Sequence, residues 1–257
     1  MDLDPALAAL HPLGPFFALR TAATATAAKS AAPPPTLAQA YRTPPPLDPD
    51  VDPLTLRLLK VAHALRAPEA RIAASVAHQG LAARLWSVAL GCAALYGALP
   101  DLDARLLRWD PDGSAPDDLF LTEVHARPGD AASLAAAVLD GHLEPLSAAL
   151  RARCPVAPGL LRGNAASALA GAARQLDGWA RAHGRDDVAA RGRALTAELL
   201  THPRLAGAGT LTGAGTLSGA AFRRRSCCLY YRVPQGGLCG DCCFTRPPRS
   251  SVRGPSE

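Results

Sequence analysis

The sequence is poor in aromatic residues and almost free of lysine. Aromatic side chains make up 5% of its 257 residues, although apolar residues as a whole make up 49%. The core must therefore be built from Leu, Ala and Val on closely packed helices. Lys29 and Lys60 are the only lysines, so the glycine-rich stretch at 207–219 has no Lys in register for a phosphate-binding loop. The sequence also has no flavin or nicotinamide fingerprint.

A long apolar run is missing as well. The most apolar stretch, Leu85 to Leu99, follows Arg84, contains Ser and Gly, and is shorter than the roughly 20 residues of a membrane helix. The amino terminus, Met1-Asp2-Leu3-Asp4, has no basic start of a secretory signal. We therefore expect a cytoplasmic protein without membrane insertion. In the cytosol, clustered cysteines indicate metal or redox chemistry rather than structural disulfides.

The spacing of apolar residues predicts a mainly α fold, a helical body with one small β-hairpin. Leu54, Leu58, Val61 and Leu65 recur at helical intervals behind Asp52-Pro53, a typical helix start. Further helices are predicted over 84–99, where Pro100 would end the helix, and over 131–152, 159–181 and 186–201. The hairpin is predicted at 105–123, around the turn-forming sequence Asp110-Pro111-Asp112-Gly113.

Composition divides the chain into four parts. Residues 1–53 hold a short apolar element and a linker rich in Ala, Thr and Pro, and residues 54–206 form the helical body. Residues 207–221 contain five glycines and predict a flexible hinge. Residues 222–257, the C-terminal segment, hold five of the seven cysteines.

The C-terminal segment carries the whole net charge of the chain. It contains seven arginines against Asp241 and Glu257, which equals the overall charge of +5. Arg223, Arg224 and Arg232 lie close to the cysteines, where cations lower thiol pKa values and offset the charge of bound metal thiolates. No aromatic stacking platform accompanies these arginines, so nucleic acid is not an expected partner.

The cysteines follow the pattern Cys227-Cys228, ten residues, Cys239, two residues, Cys242. A Cys-x-x-Cys turn is half of a common metal site, because it directs two sulfurs at one ion. Adjacent cysteines reach one small ion only if the backbone bends sharply, whereas a [2Fe–2S] cluster takes four thiolates over two irons. Spacing alone leaves open a structural zinc knot, and also disulfides or thiols without a metal. Cys243 is interpreted as a bystander.

At this point the residues resemble a known family. The sequence Phe222-Arg-Arg-Arg-Ser-Cys-Cys-Leu-Tyr-Tyr-Arg232, with Gly236-Gly-Leu-Cys-Gly-Asp-Cys242, is similar to the C-terminal motif of the FhuF-like ferric-siderophore reductases. The resemblance spans roughly residues 54–243, and only the C-terminal motif is specific. Weaker similarity in the body is found at Arg71-Ile-Ala-Ala-Ser75, Ala83-Arg84-Leu85-Trp86 and Leu161-Arg162-Gly163-Asn164-Ala-Ala-Ser167.

The resemblance implies that Cys227, Cys228, Cys239 and Cys242 hold a [2Fe–2S] cluster. It further implies that one electron passes to Fe(III) held by a siderophore, often of the hydroxamate type, and that a ferredoxin or flavin reductase supplies it. The alternatives are a zinc-knot binding module and an iron–sulfur electron-transfer accessory protein without a siderophore site.

Contacts to substrate or donor are expected from Arg223, Arg224, Arg232 and Asn164. For Asn164 a helix N-cap is an equally economical interpretation. We also expect the C-terminal segment to fold back onto the helical body, with siderophore bound where they meet. The histidines are expected at the surface or as caps, and Cys92 and Cys154 in the core.

The ligand assignment predicts which cysteines the visible spectrum depends on. Cys228→Ser or Cys239→Ser is expected to abolish the spectrum of the anaerobically purified protein, because each removes a thiolate. Cys92→Ser is the matched control, and loss of the cluster in that variant would overturn the assignment.

Overall fold

A computed structural model describes residues 3–21, 33–42, 52–212 and 221–248. Most of the predicted Ala/Thr/Pro-rich linker lies outside the described residues, as do positions 213–220 of the predicted hinge and 249–257 of the C-terminal segment. The described chain is mainly α-helical with a few short strands, which confirms the predicted fold class.

The helices are α1 (Asp4–Ala8), α2 (Leu37–Ala40), α3 (Pro53–Leu65), α4 (Ala70–Tyr96), α5 (Ala131–Leu134), α6 (Glu144–Arg153), α7 (Pro158–Ala182) and α8 (Asp186–Thr201). A π-helix, Ala135–Leu143, joins α5 to α6 without a break, and 3₁₀ turns cover His11–Leu13 and Tyr230–Arg232. In the part of the chain that the structure describes, no helix combines the length and hydropathy needed to cross a membrane.

The core forms around α4 and α7, the two longest described helices, with 27 and 25 residues. α4 is buried through most of its length, as expected for a helix that is apolar nearly all round. α7 faces it with a run of buried small residues between Gly163 and Ala173, which lets the two backbones approach closely. Cys92 lies in this core, as predicted, and Cys154 is buried at the end of α6.

The start of the helical body matches the prediction, whereas the end of its buried helix does not. Asp52 caps α3 by accepting a hydrogen bond from the backbone N–H of Leu54 at 3.2 Å, with Pro53 in the first turn. Pro100 does not end α4. The helix stops at Tyr96 because Gly97 takes a left-handed conformation with φ of 67°, and Pro100 lies in a strand.

The strands are β1 (Arg20–Thr21), β2 (Ala98–Pro100), β3 (Leu107–Trp109), β4 (Leu119–Leu121), β5 (Ala126–Pro128), β6 (Gly209–Thr212) and β7 (Ala221–Arg224). β3 and β4 form the predicted antiparallel hairpin, with Leu107 opposite Leu121 and Trp109 opposite Leu119. β1 adds to β4 in parallel. Two further antiparallel pairs, β2 with β5 and β6 with β7, were not predicted.

The buried Arg84 ties this hairpin to α4 and to the amino-terminal element. Its side chain donates to the Asp118 carboxylate at 2.9 Å and to the Pro15 carbonyl at 3.1 Å. Burying an arginine requires such partners. The motif residue Arg84 therefore stabilises the body away from the cysteines.

The beginning of the predicted glycine hinge is a strand. β6 pairs with β7, and Gly209 lies so close to Phe222 that a Cβ at position 209 would come within 2.3 Å of the ring. The glycine is needed here for a close approach of neighbouring strands.

The C-terminal segment packs onto α7 through a glycine. A Cβ at position 163 would lie 2.1 Å from the Ser226 hydroxyl and 3.2 Å from Arg224 Nη2. Gly163 therefore opens the space into which β7 and the residues after it fit, and the segment folds back onto the helical body as the sequence predicts.

Gly163→Val tests this contact. The branched side chain is expected to displace the C-terminal segment and to lower the free energy of unfolding by about 1–3 kcal/mol, the usual cost of overpacking. Chemical denaturation measures the loss, and limited proteolysis should cut the segment faster.

Gly178→Val is the matched control, since a Cβ at that position of α7 has nothing within 4 Å. Equal stability of the two variants would contradict the role of Gly163.

Candidate metal centre

Five thiols of the C-terminal segment form a chain of contacts. The Cys228 side chain interacts with those of Cys227 and Cys239, and the Cys243 side chain with those of Cys227 and Cys242. None is in a disulfide. The hydrogen bonds from Cys227 and Cys239 hold the pKa of the Cys228 thiol well below its usual value. Cys228 is therefore favoured as a thiolate, the form that binds metals.

These sulfurs do not converge on one point. Within residues 3–21, 33–42, 52–212 and 221–248, no three His, Cys, Asp or Glu side chains have the geometry to hold a single metal ion.

The backbone bends immediately after the cysteine pair. Leu229 takes a left-handed conformation, with φ of 67°, before the 3₁₀ turn at Tyr230–Arg232. A leucine adopts this conformation at a cost. The chain therefore changes direction directly after the cysteine pair.

Backbone N–H groups point at the sulfurs. Leu229 N–H donates to Cys227 Sγ at 3.2 Å, Phe244 N–H donates to Cys242 Sγ at 3.4 Å, and Tyr230 N–H donates to Cys228. Hydrogen bonds of this kind tune the potential of iron–sulfur centres. A Cβ at Gly236 would lie 2.2 Å from the Tyr230 carbonyl, so this glycine allows a tight turn.

Arg224 is the charged group at the centre of the site. Its guanidinium is 3% exposed and pairs with no carboxylate among the described residues. It donates to the Asn164 side-chain oxygen and to the Leu160 carbonyl at 3.3 Å, while its Nε has no partner. Its charge lowers the pKa of Cys228 and opposes the larger effects that raise the pKa of Cys239. The Cys228 thiolate is thus a neighbouring anion of Arg224.

Asn164 is not an N-cap. α7 begins at Pro158, so Asn164 lies inside the helix and is fully buried. Its amide nitrogen donates to the Ser75 carbonyl at 2.8 Å, and its oxygen accepts from Arg224. The residue therefore links α4, α7 and Arg224, and its burial leaves no surface for a substrate or donor.

The other two predicted arginines lie at the surface. Arg223 precedes Arg224 in β7 and points outward, with its Nη2 donating to the Cys243 carbonyl at 3.1 Å. Arg232 forms an ion pair with Glu69 at 2.9 Å. Both side chains are exposed to solvent.

The internal motifs attach the C-terminal segment to the body, which sequence reasoning missed. Ser75 donates to the Cys228 carbonyl at 2.8 Å, and Ser167 donates to the Asp241 carboxylate at 2.6 Å. Arg174 adds an ion pair to Asp241 at 3.0 Å. Asp241 lies between Cys239 and Cys242 in the sequence. This position inside the cysteine motif was the signal that could have revealed its role in attachment.

Two histidines differ from the expectation that the histidines lie at the surface or act as caps. His78 and His142 are buried rather than exposed. Burial, assisted by the Arg224 charge, lowers the pKa of His78 to about 3, so this side chain stays neutral beside the site.

A pocket of about 420 Å³, here called the front pocket, opens beside the cysteines between α4, α7 and the C-terminal segment. Cys228, Cys239 and Tyr230 form one wall. Gln79 and Ala83 of α4 and Gly171 and Arg174 of α7 contribute to the others. Its size is that of a small-molecule site.

The residues fit the predicted cluster. Five soft thiols lie in the segment, and backbone N–H groups donate hydrogen bonds to their sulfurs. The buried Arg224 has no hydrogen-bond partner for its Nε and no carboxylate partner in the described chain. A buried cation without a counter-charge costs several kcal/mol, and an anionic thiolate cluster supplies that charge.

Arg224→Met tests the electrostatic role. Removing the buried cation is expected to lower the reduction potential of the cluster, because the reduced form carries the extra negative charge. A potentiometric titration followed by visible absorption measures the shift.

Arg223→Met serves as the control, since Arg223 is exposed and water screens its charge. A larger shift in Arg223→Met than in Arg224→Met would contradict the assignment of Arg224 as the main counter-charge.

Comparison with known proteins supports the chemistry of this segment. Residues 224–244 match the family model described as the FhuF 2Fe-2S C-terminal domain. The match includes the four predicted ligands as well as Arg224 and Asp241. A search of curated proteins gave no match to the chain. The resemblance stated from the sequence is confirmed over residues 224–244, which are similar to the FhuF 2Fe-2S C-terminal domain, and the match supports a [2Fe–2S] cluster as the cofactor.

Proposed function

We propose that the protein is a cytoplasmic ferric-siderophore reductase, with Cys227, Cys228, Cys239 and Cys242 as the cluster ligands. The observation that carries the proposal is the front pocket, because it places Cys228 and Cys239 in the wall of a cavity of small-molecule size. A cytosolic location suits the seven free thiols, which that compartment keeps reduced.

The choice of four ligands rests on the family motif and on the contacts of the thiols. Cys228 contacts both Cys227 and Cys239, so three of the four already adjoin. Cys242 is tied to the same turn by the hydrogen bond from its N–H to the Cys239 carbonyl at 3.1 Å. Cys243 also interacts with Cys227 and Cys242, but it lies outside the four-cysteine pattern of the family motif, and we interpret it as a bystander.

When bound, the cluster supplies transfer of one electron at a time. The substrate is Fe(III) held by the anionic oxygen atoms of a siderophore. Such hard ligands bind Fe(III) far more strongly than Fe(II), so a single electron weakens the complex, and Fe(II) leaves as the ligand oxygens take up protons. A ferredoxin or flavin reductase is oxidised by one electron for each iron released.

The walls of the front pocket favour a ferric complex without net charge. Ala83, Ala168 and Ala172 provide apolar surface. The cation of Arg174 is offset by Asp241 at 3.0 Å. Three hydroxamate groups neutralise one Fe(III), whereas catecholates leave a strongly anionic complex. The pocket therefore suits the hydroxamate class.

Release of Fe(II) is the direct test. The anaerobic protein is reduced, freed from reductant, and mixed with a ferric trihydroxamate siderophore and an Fe(II) chelator. A reductase should lose its reduced spectrum while close to one equivalent of Fe(II) appears. Reoxidation without Fe(II) would instead indicate an electron-transfer accessory protein, and a colourless protein that contains zinc would indicate a zinc-knot module.

Gly171→Phe should block this reaction selectively. Gly171 lines the front pocket, and a Cβ there meets only Arg174 Nη2, at 3.9 Å. The ring is expected to fill the cavity and to slow siderophore-dependent reoxidation at least about tenfold, which corresponds to roughly 1.4 kcal/mol.

Gly178→Phe, on an exposed and open position of α7, is the control for adding a ring to this helix. Normal reoxidation by siderophore in Gly171→Phe with an intact cluster spectrum would rule out the front pocket as the substrate site.

A further inference from the structure

A second cavity lies beside the cysteines and shares no lining residue with the front pocket. This rear pocket has a volume of about 410 Å³ and lies between the first turn of α7, the start of α4 and the cysteine pair. Cys227 and Leu229 form its cysteine side, Gly159 and Leu160 its α7 side, and Arg71 its rim. Cys227 therefore lines one cavity and Cys228 the other.

We propose that an acidic, one-electron carrier protein docks over the rear pocket, on a face separate from the substrate site. The proposal rests on the proposed function for the role of the front pocket. The adjacent cysteines explain the separation, because neighbouring side chains leave the backbone in different directions. One thiolate is thus presented to the donor and another to the substrate.

Charge identifies the partner. The described part of the C-terminal segment has four outward-facing arginines, Arg223, Arg225, Arg232 and Arg246. Its one acidic residue, Asp241, is buried against Arg174. A surface of one sign attracts a partner of the other and accelerates their encounter. An acidic carrier protein has the complementary charge.

The rim of the rear pocket joins this basic surface. Arg71 in the pocket wall and Arg232 on the C-terminal segment share the carboxylate of Glu69, at 2.5 and 2.9 Å. Two cations on one anion leave a net positive charge at the rim, and hold the two guanidinium groups in fixed positions.

The interior of the rear pocket suits a protein contact. It is mainly apolar, through Val156, Leu160 and Leu229. An apolar centre with a charged rim is the usual arrangement of a specific protein interface.

Gly159→Phe tests the docking face with the holoprotein. A Cβ at position 159 has nothing within 4 Å and the residue is exposed, so the ring is expected to enter the rear pocket without displacing the protein's own atoms. The probe is an acidic plant-type [2Fe–2S] ferredoxin. Its oxidised form is titrated calorimetrically at low salt, and its reduced form is mixed in stopped flow to follow reduction.

Binding of this ferredoxin should weaken at least about tenfold in Gly159→Phe. Reduction of the protein by the reduced ferredoxin should slow by a similar factor. Gly171→Phe, in the front pocket, should leave both unchanged, as should Gly178→Phe. Conversely, Fe(II) release by chemically reduced Gly159→Phe should equal that of the unaltered protein. Arg71→Glu reverses charge at the rim without adding bulk and should weaken binding in the same way.

Unchanged ferredoxin binding in both Gly159→Phe and Arg71→Glu would overturn the proposal, as would displacement of ferredoxin by a saturating ferric trihydroxamate siderophore. The proposed reductase activity fails separately. A protein that binds ferredoxin at this face but releases no Fe(II) retains the docking surface and loses the reductase function.

Discussion

The buried charge of Arg224 determines how the C-terminal segment lies on the helical body. A guanidinium removed from water needs hydrogen bonds and a counter-charge. Asn164 and Leu160 on α7 supply hydrogen bonds, and the thiolates of the segment supply the anion. Because the Arg224 side chain needs both the hydrogen bonds and the anion, it holds the helices and the cysteines together. This requirement also explains the unusual interior position of Asn164 in α7, where a polar side chain is otherwise costly.

The second constraint is that the C-terminal segment must approach α4 and α7 closely. Residues of the internal motifs allow this approach. Gly163 makes room for Ser226 and Arg224, while Ser75 and Ser167 hold the backbone of Cys228 and the carboxylate of Asp241. Gly163, Ser75 and Ser167 therefore attach the C-terminal segment to the helical body. In consequence, the cavity that opens at the junction owes its shape to both parts of the chain.

Patterns of local origin were predictable from the sequence, whereas long-range pairings were not. The helix start at Asp52, the hairpin around residues 110–113 and the four-cysteine motif depend on neighbours in sequence, so their spacing reveals them. The β6–β7 pair has strands of four residues and no alternating pattern, and its glycines resemble a linker. Burial of His78 and the partners of Asn164 depend on residues far away in the chain, which periodicity does not report.

The Arg224 cation stabilises the site, and it also raises the reduction potential of the cluster. The reduced cluster is therefore a weaker reductant. A positive charge near the cluster favours the reduced form, so Arg224 makes an electron easier to accept from a donor and harder to pass to an acceptor. Under the proposed function, the second effect would be tolerable because Fe(II) binds weakly to hydroxamate oxygens and would leave, which would draw the reduction forward. The separate docking face that we propose fits this balance. A donor bound there would leave the front pocket free for the ferric complex, so an electron would not have to be held in the protein until the substrate arrives.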